Sequence, residues 1–137
     1  MDFRRLIFLV CIILMQSACV NKGTKITKEE LYFKNFAISI CIASSYKYEE
    51  IKKDGSESAN GYREMGRMGL DAYEELRTLV DNWRNKDYSS LEGVQVKMPK
   101  CIDLYNSSEL NALYKKYTPC ENPDSWLSQK RYINNCK

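Results

Sequence analysis

From Leu31 to Ser44 the apolar and small residues return every three or four positions: Leu31, Phe33, Phe36, Ala37, Ile40, Cys41 and Ser44. That spacing lines them along one side of an α-helix. Ile38 and Ile42 add a second apolar side, so the segment predicts a central helix buried on much of its circumference. Thr27 and Glu30 precede it as a capping box, in which the hydroxyl accepts the Glu30 N–H and the carboxylate reaches back. The same period recurs at Leu70, Tyr73, Leu76, Val80 and Trp83, with Leu79 beside them. Glu74, Glu75, Arg77, Asp81 and Arg84 form the wet side of that helix, which is expected to begin at Asp71 with Glu74 completing a second box. Pro99 suits the first turn of a helix carrying Cys101, Ile102, Leu104 and Tyr105. Ser107 or Ser108 caps another, in which Leu110, Leu113, Tyr114 and Tyr117 repeat. Lys52-Lys53-Asp54-Gly55-Ser56 reads as a turn, followed by a helix from about Ser58 to Met68. Gly61 and Gly66 interrupt that helix at about 1 kcal/mol each, and close approach of another backbone is the expected compensation. Asn85 to Lys97 loses the helical period and is expected to be an exposed loop, with a short strand at 94–97 at most. The fold class that follows is all-α: one small domain of about five helices stapled by disulfides.

The N-terminus speaks to compartment. Met1 to Arg5 is a short charged stretch, Leu6 to Met15 is an unbroken apolar run, and Gln16-Ser17-Ala18-Cys19 supplies small residues for processing. Residues 1–18 are therefore expected to be a secretory signal peptide, the apolar run being too short to span a bilayer. Cleavage after Ala18 would leave a soluble protein. Read as the end of a lipobox, Ser17-Ala18-Cys19 makes Cys19 the lipid-bearing first residue, although Gln16 stands where a lipobox usually carries Leu. Parity favours the lipobox: of six cysteines Cys11 leaves with the signal, and acylation of Cys19 leaves Cys41, Cys101, Cys120 and Cys136. An odd thiol is a liability in an oxidising compartment. On this reading residues 19–27 are the lipobox cysteine and a tether, and 28–137 the helical domain with a disulfide-closed C-terminal extension.

Four cysteines allow three pairings, and their spacing does not choose among them. Cys41 and Cys101 lie on the apolar faces of two helices, and Cys120 and Cys136 flank a tail too small to hold itself by apolar burial. The pairing expected is Cys41 with Cys101 and Cys120 with Cys136, the second closing a loop worth roughly 3 kcal/mol in the chain-entropy model. No two of the four are close in sequence and no histidine accompanies them, so a metal site is not expected, nor any other cofactor.

The chain contains no histidine at all. That removes Ser-His and Cys-His nucleophilic catalysis of the usual kind and the ordinary His-ligated metal hydrolases. A carboxylate pair drawn from Glu29, Glu30, Glu49, Glu50, Glu74 or Glu75 remains formally open, but these lie in pairs or on polar helix faces, where solvation explains them. The formal charge is +3 with basic and acidic residues interspersed, which is not the footprint of a nucleic-acid binder. Ten tyrosines and two tryptophans are an ample stock of amphipathic rings. Tyr73, Trp83 and Tyr114 fall on apolar stripes and are expected in the core. Tyr88 falls in the loop, where a tyrosine offers large contact area at low rotamer cost. Binding, not catalysis, is the activity these residues suit.

Several stretches, taken in order, resemble a known family. Phe33-Lys34-Asn35-Phe36-Ala37-Ile38-Ser39-Ile40-Cys41-Ile42-Ala43 with Tyr46-Lys47 is similar to the opening helix of the type VI secretion amidase immunity proteins. So are Gly61-Tyr62-Arg63-Glu64-Met65-Gly66, Leu70-Asp71-Ala72-Tyr73-Glu74 with Leu79-Val80, and most closely Met98-Pro99-Lys100-Cys101-Ile102-Asp103-Leu104-Tyr105-Asn106-Ser107-Ser108-Glu109-Leu110. The likeness runs over roughly residues 31 to 117. It implies an all-helical periplasmic homodimer that binds and blocks an injected cell-wall amidase, a papain-like cysteine hydrolase cutting peptidoglycan stems. It also implies that the loop between the third and fourth helices enters the amidase cleft. That loop maps to Lys86, Asp87, Tyr88, Ser89, Ser90, Leu91, Glu92 and Gly93. Leu91 to Val94 is not a close copy of the family's loop, Pro99 and the Cys120–Cys136 tail are departures, and a lipid anchor at Cys19, the sole membrane contact expected, would be unusual. The alternative reading is an envelope lipoprotein that serves as an interaction module or inhibits another cell-wall hydrolase such as a lysozyme.

Overall fold

The structure, a computed structural model, describes residues 26–118. The expected signal peptide, Cys19 with most of its tether, and the Cys120–Cys136 extension lie outside the described residues. Five helices follow in order: α1 Lys28–Ser45, α2 Glu49–Met65, α3 Leu70–Arg84, α4 Met98–Asn106 and α5 Ser108–Tyr117. None of the described helices is long and apolar enough to cross a membrane.

α1 is the central helix its composition predicts. Thr27 Oγ1 accepts the Glu30 N–H at 3.1 Å, as a capping hydroxyl should. The Glu30 carboxylate faces forward to Lys34 at 3.7 Å. Phe33, Phe36, Ala37 and Cys41 are completely buried, and the helix touches all four others. Around it Phe36 and Tyr73 set their ring centroids 4.8 Å apart, and Phe33 lies 5.8 Å from Tyr73 and 5.9 Å from Tyr114. Tilted ring pairs at such distances add to area burial. The Cys41–Cys101 disulfide forms as expected, with 5.6 Å between the Cα atoms, and ties α1 to α4.

α2 corrects the expectation most. The segment read as a turn, residues 52–56, is helical throughout, and the helix ends at Met65 rather than Met68. The reason is packing. Gly55 rests on α1 so closely that a Cβ there would stand 2.9 Å from the Ser39 carbonyl oxygen and 3.0 Å from the Ala43 Cβ. A residue that breaks helices on local preference is the one this contact requires, and tertiary burial overrides propensity. Close approach, expected at Gly61 and Gly66, does not occur at Gly61, which has nothing within 4 Å of a would-be Cβ. Gly66 caps α2, its N–H donating to the Tyr62 carbonyl at 2.9 Å, and it makes room for the Tyr73 hydroxyl.

α3 starts one residue earlier than the Asp71–Glu74 box predicts. Gly69 is its N-cap, and no side chain caps it. Tyr73, Leu76, Val80 and Trp83 are buried as the stripe foretells, but Leu70 is exposed. Pro99 sits in the first turn of α4, and Ser107 caps α5 by accepting the Leu110 N–H at 3.1 Å. Glu75 joins α3 to α5, accepting from Lys116 Nζ and from the Tyr117 hydroxyl, each at 2.6 Å. Those two bonds hold its carboxyl below the usual carboxylate range.

Candidate functional site

The connection from α3 to α4 is a miniature β-hairpin. Ser89 and Gln95 form an isolated antiparallel bridge, the sole extended pairing among the described residues. Val96 N–H donates to the Tyr88 carbonyl at 2.9 Å, and Ser90 N–H to the Val94 carbonyl at 2.8 Å. Gly93 N–H closes the tip by donating to the Ser90 carbonyl at 2.9 Å, with Gly93 at φ 76°. A tight turn followed by a left-handed residue is the usual three-residue hairpin connection, and glycine fits the left-handed position without strain. The stretch 85–97, expected mostly as exposed loop, thus pairs residues 94–96 with Tyr88–Ser90 through a single bridge.

Side chains brace the hairpin. Asp87 Oδ1 accepts from Gln95 Nε2 at 2.6 Å and from Ser89 Oγ at 3.2 Å, and Gln95 Nε2 also donates to Ser89 Oγ at 2.8 Å. Hydrogen bonds from Gln95 and then Ser89 hold the Asp87 carboxyl below its ordinary range. Ser90 Oγ accepts the Val94 N–H at 3.2 Å. The Tyr88 hydroxyl donates to Asp103 Oδ2 on α4 at 2.8 Å, a bond that raises its own pKa. Tyr88 therefore docks the hairpin on the body and leaves the tip to others.

The base is fixed as firmly. Buried Lys100 sends its ammonium to the Arg84 carbonyl in the last turn of α3 at 3.1 Å, a cation satisfying an orphan carbonyl. Arg84 in turn donates to the Ser44 carbonyl near the end of α1 at 3.3 Å. Lys86 lies over the Trp83 ring and 3.8 Å from Glu109. What remains free is the tip: Leu91 is fully exposed, with Glu92 and Gly93 open beside it. Val94, Met98 and Ile102 are also large apolar residues open to solvent, 59%, 42% and 46% exposed respectively. Met98 and Ile102, one turn apart, share a face of α4.

Of the eight residues in the mapped loop, then, Lys86 is held at the base over Trp83 and beside Glu109, Asp87, Tyr88, Ser89 and Ser90 form the frame, and Leu91 to Gly93 form the exposed tip. The bracing roles of Gln95, Lys100 and Asp103 carry no signal in the local sequence, although Gly93 followed by alternating Val94 and Val96 is a readable hairpin sign. Among the described residues no group of His, Cys, Asp and Glu is placed to hold a metal ion.

Residues 31–114 match the family model Tai4, the type VI secretion system amidase immunity proteins. Among solved structures, the effector–immunity system Tae4/Tai4 from Salmonella typhimurium is 30% identical, with a TM-score of 0.61, over 64% of this chain and 87% of that one. The immunity protein Tai4 of Enterobacter cloacae, solved in complex with Tae4 from Salmonella typhimurium, is 17% identical with a TM-score of 0.59, over 69% of this chain and 97% of that one. A structure of type VI-secreted toxins and self-resistance proteins from Serratia marcescens is 22% identical with a TM-score of 0.60, over 73% of this chain and 85% of that one. The last two likenesses concern the fold alone. No curated protein matches. With more than half its length in the family match, the chain belongs to the type VI secretion system amidase immunity proteins.

Proposed function

We propose that the chain protects its cell by seating the α3–α4 hairpin in the active-site cleft of a Tae4-like peptidoglycan amidase, with Leu91 and Glu92 leading. The observation that carries this reading is the hairpin itself: a protruding tip with an exposed leucine, braced by Asp87, Gln95 and Ser90 and bolted to α4 through Tyr88. An element ordered before binding loses little conformational entropy when it docks. Family membership supplies the partner class, and the relatives solved with Tae4 supply the precedent. Inhibition by occupancy needs no catalytic group, which agrees with a chain that has no histidine. Action in the periplasm is part of the proposal, supported by the signal-like N-terminus. So are acylation of Cys19, a Cys120–Cys136 disulfide and a homodimeric state. Loss of palmitate incorporation in Cys19→Ser tests the anchor, and light scattering tests the dimer.

The test of the hairpin is a peptidoglycan cleavage assay with a cognate amidase and increasing amounts of this protein. Leu91→Asp and Glu92→Lys are both solvent-exposed changes that leave the frame intact. Each is expected to weaken inhibition at least tenfold, a loss of about 1.4 kcal/mol or more in binding. Unchanged inhibition by both variants would move the interface elsewhere on the molecule.

A further inference from the structure

Lys100, in the first turn of α4, is a cation only 8% exposed. Burying a charge is costly unless something of opposite sign answers it. Among the described residues Lys100 forms no ion pair, and its one hydrogen bond goes to the Arg84 carbonyl, at 3.1 Å. A cation at the C-terminal end of α3 is favourable, yet a solvated one would supply that without burial. Exchanging buried ionic groups for apolar side chains of similar volume is often neutral or stabilising, so a methionine would serve the core as well. Stability alone does not call for a lysine here.

We propose that Lys100 is a positioning residue for inhibition, its ammonium fixing the point and direction at which the hairpin leaves α3. The proposal rests on the hairpin being the inhibitory element. Arg84 is the last residue of α3, so the bonded carbonyl lies where the chain turns out of the helix. The same charge attracts the Asp87 carboxylate, adding to the hydrogen bonds from Gln95 and Ser89 that hold that carboxyl down. Asp87 is where the two arms converge, since Ser89 and Gln95 bridge the hairpin and both donate to it. One turn further along α4, on the same side of the helix, Asp103 takes the Tyr88 hydroxyl at 2.8 Å. A single attachment would leave the hairpin a pivot. Two attachments, at its root and on its first arm, set its angle to the bundle. Cys101, next to Lys100, binds α4 itself to the central helix, so the direction of the tip is passed outward from α1 through α4.

Lys100→Met, Lys100→Arg and the exposed change Asp87→Asn test this, with Leu91→Asp as the control for the tip. The probe is a Tae4-class amidase that the unsubstituted protein inhibits. Lys100→Met is expected to weaken inhibition roughly tenfold, because a loosened element must be ordered on binding, while the urea midpoint holds. Lys100→Arg keeps the charge and should recover most of the inhibition. In the free protein, residual dipolar couplings of the Gly93, Val94 and Val96 amides should cease to fit the alignment of the helices in Lys100→Met. Asp87→Asn should do the same to a lesser degree from the surface, so a Lys100→Met that does not fold leaves the test standing. Hairpin couplings that still fit overturn the proposal, as does a loss of inhibition that merely tracks a lowered urea midpoint. Inhibition lost with Leu91→Asp but kept with Lys100→Met overturns this inference and spares the hairpin reading. Inhibition kept with both overturns the two together.

Discussion

At the residue scale, glycine and tyrosine positions separate packing from propensity. Gly55 and Gly61 stand on the same helix, yet one Cβ would strike the Ser39 carbonyl and the other would meet open space. Gly55→Ala is expected to destabilise by about 1–3 kcal/mol, because the obstacle is backbone and cannot swing aside. Gly61→Ala is expected to stabilise by about 0.5–1 kcal/mol through helix propensity and a less disordered unfolded chain. Urea denaturation of the two variants checks both signs. Tyr73 presents a different case. Its hydroxyl is buried with no hydrogen-bond partner among the described residues, and burial, with Glu29 nearby, pushes its pKa up to about 12. Tyr73→Phe deletes an unsatisfied group and should be neutral or stabilising by up to about 1 kcal/mol. The raised pKa also fixes a sign. Between pH 10, where the unfolded side chain ionises, and about 12 the folded state holds the extra proton, so wild-type stability falls with rising pH there. In Tyr73→Phe that component of the slope is absent.

At the scale of elements, the hairpin is a charge-braced device. Asp87 carries a depressed pKa because Gln95 and Ser89 donate to its ionised form. Its bracing is therefore fully present above the unfolded value near 3.8 and fades as pH falls through the lower folded value. An acid titration followed by NMR should show the Gln95 side-chain amide signals collapsing toward random-coil positions while the helical core is still folded. Gly93→Ala forces a left-handed φ on an L-residue, costs about 1 kcal/mol locally, and should loosen the tip without lowering the melting temperature of the body. These elements were unequally legible. α1, α3 and α5 announce themselves by apolar stripes, whereas α2 buries only Gly55 and Ala59. A helix that docks through the smallest side chains leaves almost no hydrophobic signal, so its first half read as a turn.

At the scale of the whole molecule, the Cys41–Cys101 link joins residues 60 positions apart and holds α4, on which the hairpin rests, against the central helix. Closing a loop of that size is worth about 4 kcal/mol in the chain-entropy model. Cys41→Ala/Cys101→Ala is therefore expected to lose stability of that order, measured by urea unfolding under oxidising conditions. By itself the sequence determined the helical class, the cap at Thr27, the central place of α1 and the loss of helical period between α3 and α4. Each follows from local periodicity or from residue chemistry. The choice of Ser107 over Ser108 as a cap and of Cys101 as the partner of Cys41 came with the fold. Tertiary structure alone decided that α2 continues through Lys52–Ser56, that Tyr88 braces rather than presents, and that a leucine and a glutamate stand at the tip. Those outcomes depend on which surfaces meet, and contacts between distant segments are set by close packing, which no local pattern encodes.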